Sequence, residues 1–203
     1  EFNQATTAGT TPVATTTMTG NTASDVGVTP GEVRVGLIVS KTSVLGSETF
    51  SPPMYGARAY FSSLNERGGV HGRTVRVIVC DDGGTGAGNR RCVRKLIDED
   101  RVFAFAGNSI FNYAGASYVN DAGVPDVGGQ PIGNAYDQYR HLFSLYGTTS
   151  PRDGRIGFNG KLYGGTEVYR YFKTTLRAHV AGVVSYNQSD SQRFANLIVD
   201  SLQ

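Results

Sequence analysis

The segment of this chain that most suggests a chemical role is a glycine-rich loop, residues 83–88, between a predicted strand and a predicted helix at 89–98. Nucleotide-binding proteins place a phosphate loop at such a junction. The glycines at 84, 86 and 88 form G-x-G-x-G, however, so Asn89 stands where the dinucleotide fingerprint needs its third glycine. No Gly-Lys-Ser/Thr follows either. We therefore predict a flexible strand-to-helix loop without a nucleotide site.

Two adjacent carboxylates, Asp81 and Asp82, end the strand before this loop and have the chemistry of metal ligands. A metal site needs further ligands, and no third carboxylate or histidine lies close to them in sequence. Aspartates at a strand end often accept hydrogen bonds from the backbone amides of the next turn. The sequence therefore favours a capping role for this pair, and we predict no metal site.

The two cysteines, Cys80 and Cys92, flank the same loop and are twelve residues apart. Cys80 ends the strand, and Cys92 lies on the apolar stripe of the helix that follows. A disulfide between them would close a short loop and contribute about 3 kcal/mol to stability. Two buried free thiols would also fit these positions. We predict the disulfide.

The remaining candidate nucleophiles and bases form no catalytic set. His71 lies in a turn, and His141 and His179 flank predicted strands. The sequence contains no G-x-S-x-G elbow and no Cys-His or metal-ligand spacing. We therefore expect no catalytic residues, no cofactor and no enzymatic activity.

The elements that must position these residues follow an alternating pattern. Apolar runs at 33–39 and 75–82, separated by a helical pattern through Met54, Ala57, Tyr60, Phe61 and Leu64, predict a parallel βαβ unit. Further strands are predicted at 102–107, 126–127, 141–146 and 180–186, with helices at 89–98, from 113 to about 121, at 160–176 and at 191–202. This order predicts an α/β fold with a parallel, doubly wound sheet.

Length, charge and composition limit the classes of partner. The 203 residues carry a formal net charge of +2, which gives no electrostatic reason to expect nucleic acid or a membrane surface as a partner. No apolar run approaches the roughly 20 residues that span a bilayer. Residues 1–30 are rich in Thr, Ala, Gly and Asn, so we predict a flexible tether there. A frayed terminus without a role would have the same composition.

From about residue 33 onward, the sequence resembles the type I periplasmic solute-binding proteins, specifically the branched-chain amino-acid (Leu/Ile/Val-like) receptors of ABC importers. The turn at 65–73, Asn-Glu-Arg-Gly-Gly-Val-His-Gly-Arg, resembles the N-x-x-GGV-x-GR turn of that family. The other matching stretches are residues 33–39, 57–65, 81–82, 94–97 and 122–125. The resemblance implies a two-lobed receptor that clamps a solute without chemistry and delivers it to an ABC permease.

The resemblance also implies a domain division and a location. Residues 31–146 would form the first lobe and residues 147–203 part of a second lobe. The helix at 191–202 needs a following strand to pack on, so the chain is expected to be partial. The protein would be periplasmic or extracellular, tethered near a membrane or wall by residues 1–30, with a lipid anchor as one means of attachment. We expect a monomer.

The candidate ligand-binding residues lie in loops at the carboxyl ends of the strands, where open α/β sheets bind small ligands. In the family that the sequence resembles, hydroxyls and backbone N–H groups at helix starts hold the ligand carboxylate. The corresponding loops here are 40–46, 107–113, 128–132 and, in the second lobe, 186–192. The residues predicted to bind ligand are Ser43, Leu45, Ser109, Ile110, Phe111, Asn112, Gly129, Gln130, Pro131 and Tyr186.

Several of these residues depart from the family pattern, which favours Ser, Ala and Thr in the same loops. Phe111, Asn112, Tyr113 and Gln130 stand there instead. Aromatic and amide side chains argue against a simple aliphatic amino acid and favour a bulkier, more polar or ring-stacked ligand. Two alternative functions remain open at this point: a Rossmann-like cofactor-binding enzyme, and a ligand-sensing receptor ectodomain.

Overall fold

The chain folds around a five-stranded parallel sheet in a computed structural model that describes residues 20–129, 135–145, 166–187 and 189–202. The strands lie in the order β2-β1-β3-β4-β5, and every pair of neighbours is parallel. They are β1 Glu32–Val39, β2 Thr74–Asp81, β3 Ala104–Ala106, β4 Asp126–Gly129 and β5 Leu142–Ser144. The predicted parallel α/β fold is therefore confirmed.

Helices connect the strands and cover the sheet. They are α1 Ser47–Glu66, α2 Gly86–Arg94, α3 Ala116–Asp121, α4 Ala135–Gln138, α5 Thr166–Thr174 and α6 Ser189–Leu202. A π-helical segment, Lys95–Glu99, continues α2. Within the described ranges, no helix is both long and apolar enough to cross a bilayer.

Strand β1 lies inside the sheet and is buried on both faces, as its apolar run predicts. Because successive side chains of a strand point to opposite faces, Ile38 packs in a large core with Val93, Phe105 and other residues. Leu37 and Val39 instead pack with Phe50 and Met54 of α1. The sheet therefore has a core on each face, which is the doubly wound arrangement.

Helix α1 begins earlier than the sequence indicates. The helical pattern in the sequence begins at Met54, whereas the helix starts at Ser47 and contains Pro52 and Pro53. Tyr60 was expected on the buried stripe of α1, but it is 60% exposed. At 100° per residue, Tyr60 is about 120° away from Met54 around the helix axis, which turns it toward solvent.

The predicted strand at 180–186 is not formed, although these residues are described. Val180 and Val184 are 90% and 97% exposed. Among the described residues, no strand lies beside this segment, so its backbone groups have no ladder to pair with. The neighbouring helix was expected at 160–176 and is described only as α5, because residues 146–165 lie outside the described part.

Part of the predicted tether lies against the domain. The Arg73 side chain donates to the carbonyl oxygens of Thr29 (2.9 Å) and Thr22 (3.1 Å), and Asn21 donates to that of His71 (2.8 Å). A Cβ on Gly27 would lie 2.5 Å from the backbone nitrogen of Phe103. Residues 1–19 lie outside the described part, so the tether there, and the division at residue 146, stay predictions.

Candidate functional site

The candidate site is the rim formed where β1, β2, β3 and β4 end at the same edge of the sheet. The loops after β1 and β3 are paired side by side, because the Ser40 N–H donates to the Ser109 carbonyl and the Ser109 N–H donates to that of Ile38, each at 3.0 Å. The rim therefore brings together residues that are about 70 positions apart in the sequence.

Asp82 is the centre of the first of two buried polar clusters beneath this rim. Its Oδ1 accepts hydrogen bonds from Ser40 Oγ (2.7 Å) and the Gly84 N–H (2.8 Å), and its Oδ2 accepts one from Asn89 Nδ2 (3.0 Å). Ser40 Oγ also accepts a hydrogen bond from the Phe111 N–H at 2.8 Å. Burial raises the pKa of Asp82, against the opposing effect of these donors. This Asp82 cluster fixes the backbone at Phe111.

The glycine-rich loop packs tightly around the Asp82 cluster. Thr85 caps α2, since its side-chain oxygen accepts from the Gly88 N–H at 3.1 Å. A Cβ on Gly88 would overlap the carbonyl oxygen of Asp82, so a glycine is needed there for close approach. Asn89 links α2 to the start of α3, because its Oδ1 accepts from the Gly115 N–H at 2.9 Å.

Asp81 has the capping role that the sequence indicates. Its Oδ1 accepts from the backbone N–H groups of Gly83 (3.0 Å) and Thr42 (3.3 Å). Partial burial tends to raise the pKa of Asp81, but the hydrogen bonds from Gly83, Thr42 and Lys41 outweigh it, and the pKa is lowered. Across the described residues, no group of three or more His, Cys, Asp or Glu side chains is placed to hold a metal ion.

Asp126 is the centre of the second buried cluster. Its Oδ2 accepts hydrogen bonds from Tyr113 Oη (2.6 Å), Tyr136 Oη (2.8 Å) and Asn108 Nδ2 (3.0 Å). Its Oδ1 is buried without a hydrogen-bond partner among the residues described. Burial raises the pKa of Asp126, although its three donors oppose this shift. The pKa values of both tyrosines are also raised, first by burial and then by the nearby carboxylate.

The Asp126 cluster joins three parts of the rim. Asn108 follows β3, and its Oδ1 accepts from the Ile38 N–H in β1 at 2.7 Å. Tyr113 lies in the loop that leads to α3, and Tyr136 lies in α4. A Cβ on Gly129 would overlap the Tyr136 hydroxyl, so β4 and α4 are in close contact at the end of the strand.

A group of three aromatic rings at the rim connects the loop after β3 with α1 and with the segment between α5 and α6. The Phe111 ring lies 6.0 Å from that of Phe50 and 6.5 Å from that of Tyr186, measured between ring centroids. The Phe111–Tyr186 pair is edge-to-face, with an interplanar angle of 87°. Tyr186 is 62% exposed. Two of the predicted ligand-binding residues are thus adjacent in space.

The other predicted site residues differ in what they can offer a ligand. Ser43 is buried, and within the described part of the chain its Oγ has no hydrogen-bond partner. Leu45 is half-buried against the α1 core, and Asn112 Oδ1 accepts from the Ala114 N–H at 2.9 Å. The Ile110 side chain belongs to the core. Gln130 and Pro131 lie outside the described residues.

Sequence reasoning missed the residues that hold the rim together: Ser40, Asn89, Asn108, Asp126 and Tyr136. One signal was present, because Asn89 precedes Cys92, Val93 and Leu96 on the apolar stripe of a helix. A polar residue on such a stripe must find a buried partner. The partners themselves could not be read from the sequence.

The predicted disulfide between Cys80 and Cys92 is confirmed. It joins the end of β2 to the second turn of α2, with 5.6 Å between the two Cα atoms. Cys92 is fully buried. The loop of chain that this disulfide closes contains Asp82 and Asn89. The disulfide therefore joins the same strand and helix as the Asp82 cluster.

A family model described as periplasmic binding protein matches residues 32–203. Among solved structures, the leucine-binding protein LivK of Thermotoga maritima is similar to this chain with a TM-score of 0.61 at 16% identity, covering 84% of this chain and 45% of its own. No curated protein sequence is similar enough to count as a relative.

Two further similar structures are of proteins whose descriptions name other ligands. A fatty acid ABC transporter substrate-binding protein from Thermomonospora curvata has a TM-score of 0.60 at 16% identity and covers 88% of this chain and 44% of its own. A solute-binding protein from Rhodopseudomonas palustris, in complex with 3,4-dihydroxybenzoic acid, has a TM-score of 0.56 at 18% identity, with 84% and 44% covered. This chain spans less than half the length of each of these three proteins, and such identities support a common fold alone.

Proposed function

The chain belongs to the periplasmic binding protein family, and we propose that it holds a small solute at the rim for an ABC permease, outside the cytoplasm. One observation supports this most directly. The loops after β1 and β3 meet at the carboxyl edge of a parallel sheet, and the Phe111 ring there contacts Tyr186 from the other end of the chain.

The proposed ligand has an aromatic or other flat apolar body and a polar end. The rings of Phe111 and Tyr186 would pack against the body, with Leu45 beside them. The Ser43 hydroxyl, which is buried without a partner among described residues, would bond the polar end, as would the Asn112 amide nitrogen.

Backbone groups complete the proposed site. The loop containing Ser109 and Ile110 would offer N–H and carbonyl groups, since the Ile110 side chain is held in the core. Gly129 would contribute backbone in the same way, and Gln130 and Pro131 stay proposals. A polar pair of loops with aromatic walls supports a ligand other than a simple aliphatic amino acid.

No catalytic step is proposed, because holding and releasing a solute needs only a difference in affinity between two conformations. The family consists of binding proteins, and the proposed role uses each rim residue for contact alone. We further propose that the protein acts as a monomer and is attached near the membrane or wall through residues 1–19.

Ligand binding can be tested by thermal shift and calorimetry on the full chain with leucine, phenylalanine, 3,4-dihydroxybenzoate and hexanoate. A ligand that binds only the folded state raises the melting temperature. We expect one of the ring-bearing ligands to do so. For that ligand, Phe111→Ala and Tyr186→Ala should each weaken binding by at least about tenfold.

Tyr60→Ala is the matched control, because Tyr60 is as exposed as Tyr186 but lies on α1. It should leave the affinity unchanged. The ligand class would be wrong if only leucine or hexanoate bound. The proposed site would be wrong if Phe111→Ala and Tyr186→Ala bound a ring-bearing ligand as tightly as the unchanged chain does.

A further inference from the structure

A groove lined by arginines lies on the outer face of α2 and carries a second inference, which is independent of the proposed solute site. The groove has a volume of about 580 Å³. Its lining residues are Ala87, Arg90, Arg91, Arg94, Lys95 and Glu99. Four of these six side chains are cationic and exposed.

The helix periodicity explains how the groove forms. Asn89, Cys92 and Val93 are buried against the sheet. The opposite arc of the helix therefore carries Ala87 together with Arg90, Arg91 and Arg94. Because the Ala87 side chain is a single methyl group, it leaves space between the long arginine side chains. Ala87 and the three arginines line the same groove.

The charges in the groove are poorly compensated. Lys95 pairs with Asp100 at 2.5 Å. Among described residues, no carboxylate oxygen lies within 4.0 Å of Arg90, Arg91 or Arg94. Arg90 and Arg94 are four residues apart on one helix face, a spacing at which like charges repel. The helix dipole favours Arg91 and Arg94 in the last turn, but it does not account for Arg90.

One of the arginines is held in place by its surroundings. The Arg94 guanidinium lies over the Tyr118 ring, 5.7 Å from its centroid. The Tyr118 hydroxyl in turn donates to Asp98, at 2.8 Å and 3.0 Å from its two carboxylate oxygens. A guanidinium stacked on a ring keeps its N–H edge available for an anion.

We propose that this groove is a binding site for a phosphate group, held above Ala87 by Arg90, Arg91 and Arg94. The guanidinium fork matches phosphate oxygens in paired hydrogen bonds, and three such forks suit a group with three or four oxygens. The phosphate group belongs to a lipid headgroup or to a soluble phosphate compound, and the test below distinguishes these sources.

The test compares the full chain with two triple variants of equal net charge. The groove variant carries Arg90→Gln, Arg91→Gln and Arg94→Gln. The control variant carries Arg58→Gln, Arg101→Gln and Arg140→Gln, three exposed arginines outside the groove. Binding of pyrophosphate is measured by calorimetry, and binding to vesicles of phosphatidylcholine with and without phosphatidylglycerol is measured by co-sedimentation.

We expect the unchanged chain and the control variant to bind pyrophosphate or the phosphatidylglycerol vesicles. The groove variant should lose at least tenfold in affinity. Binding to vesicles alone would identify a lipid headgroup, and binding to pyrophosphate would identify a soluble source. The proposal is overturned if neither probe binds, if the control variant loses as much as the groove variant, or if polyglutamate binds the groove as tightly as pyrophosphate.

Discussion

Asp82 and Asp126 are both buried aspartates beneath the rim, but they receive their hydrogen bonds in different ways. Asp82 uses both carboxylate oxygens and accepts from a serine, an asparagine and a backbone N–H. Asp126 accepts all three of its hydrogen bonds on one oxygen, from two tyrosines and an asparagine. Its other oxygen has no partner among the described residues.

The difference shows two means of holding the loops of the rim in place. The Asp82 cluster acts mainly between β2 and α2, which the Cys80–Cys92 disulfide also joins. The Asp126 cluster connects β4, α4 and the loop after β3, and Asn108 extends it to the Ile38 N–H of β1, without a disulfide across these elements. We therefore expect the first cluster to tolerate the loss of its aspartate better than the second.

The largest effect is expected for Asp126→Ala. The change leaves the two tyrosine hydroxyls and the Asn108 amide buried without an acceptor, which should lower the free energy of unfolding by about 4 kcal/mol. Asp126→Asn keeps an acceptor oxygen and should cost about 1 kcal/mol. Urea unfolding at pH 7 measures both. Equal losses in the two variants would show that the shared acceptor is not what matters.

The disulfide should have the next largest effect. Replacing Cys80 and Cys92 by alanine should cost about 3 kcal/mol, because the unfolded chain is no longer constrained. Asp82→Ala alone should cost about 2 kcal/mol, since the disulfide still holds β2 to α2. In a double-mutant cycle, Asp82→Ala should couple to the loss of the disulfide by about 1 kcal/mol, whereas Asp126→Ala should add independently. Additivity of both pairs would remove the distinction between the clusters.

Single hydroxyl deletions should give smaller changes. Tyr136→Phe keeps the ring and removes one of three donors to Asp126, so the expected loss is about 1 kcal/mol in thermal or urea unfolding. Ser40→Ala also removes a hydroxyl, but that hydroxyl accepts from the Phe111 N–H. We therefore expect Ser40→Ala to weaken binding of whichever ring-bearing ligand the thermal-shift test finds. Tyr136→Phe should change stability more than affinity.

The smallest effect is the dependence of stability on pH. Burial raises the pKa of Asp82 and Asp126. A carboxyl whose folded pKa is raised favours the folded state most below the unfolded value of about 3.9, and this contribution is lost as the pH rises through the folded pKa. Relative to Asp126→Asn, the unchanged chain should therefore gain stability as the pH falls from 7.

Asp81 provides the opposite sign within the same protein, because its pKa is lowered. Its contribution is present above the unfolded pKa and is lost as the pH falls through the folded pKa. Relative to Asp81→Asn, the unchanged chain should lose stability on acidification. Urea midpoints of the three proteins from pH 7 down to about pH 2.5 test both signs, because the Asp81 contribution is lost only below its unfolded pKa of about 3.9. The same sign for Asp81→Asn and Asp126→Asn would contradict the assigned environments.

Local patterns in the sequence were sufficient for much of the fold. The apolar run of β1 predicted a strand buried on both faces, and the alternation of strands and helices predicted a parallel sheet, because burial and crossover direction depend on short-range spacing. The disulfide was predictable for the same reason, since Cys80 and Cys92 lie on consecutive elements. The pattern failed at 180–186, where apolar residues were present but no neighbouring strand is described.

The contacts that hold the rim together depended on the tertiary structure. Ser40 meets Asp82 and Phe111, Tyr136 meets Asp126, and Tyr186 meets Phe111, over separations of 10 to 75 residues along the chain. Hydrophobic spacing repeats locally and marks which face of an element is buried. A hydrogen bond or ring contact between distant residues is set instead by sheet register and helix packing, to within a fraction of an ångström. No residue type on its own carries that information.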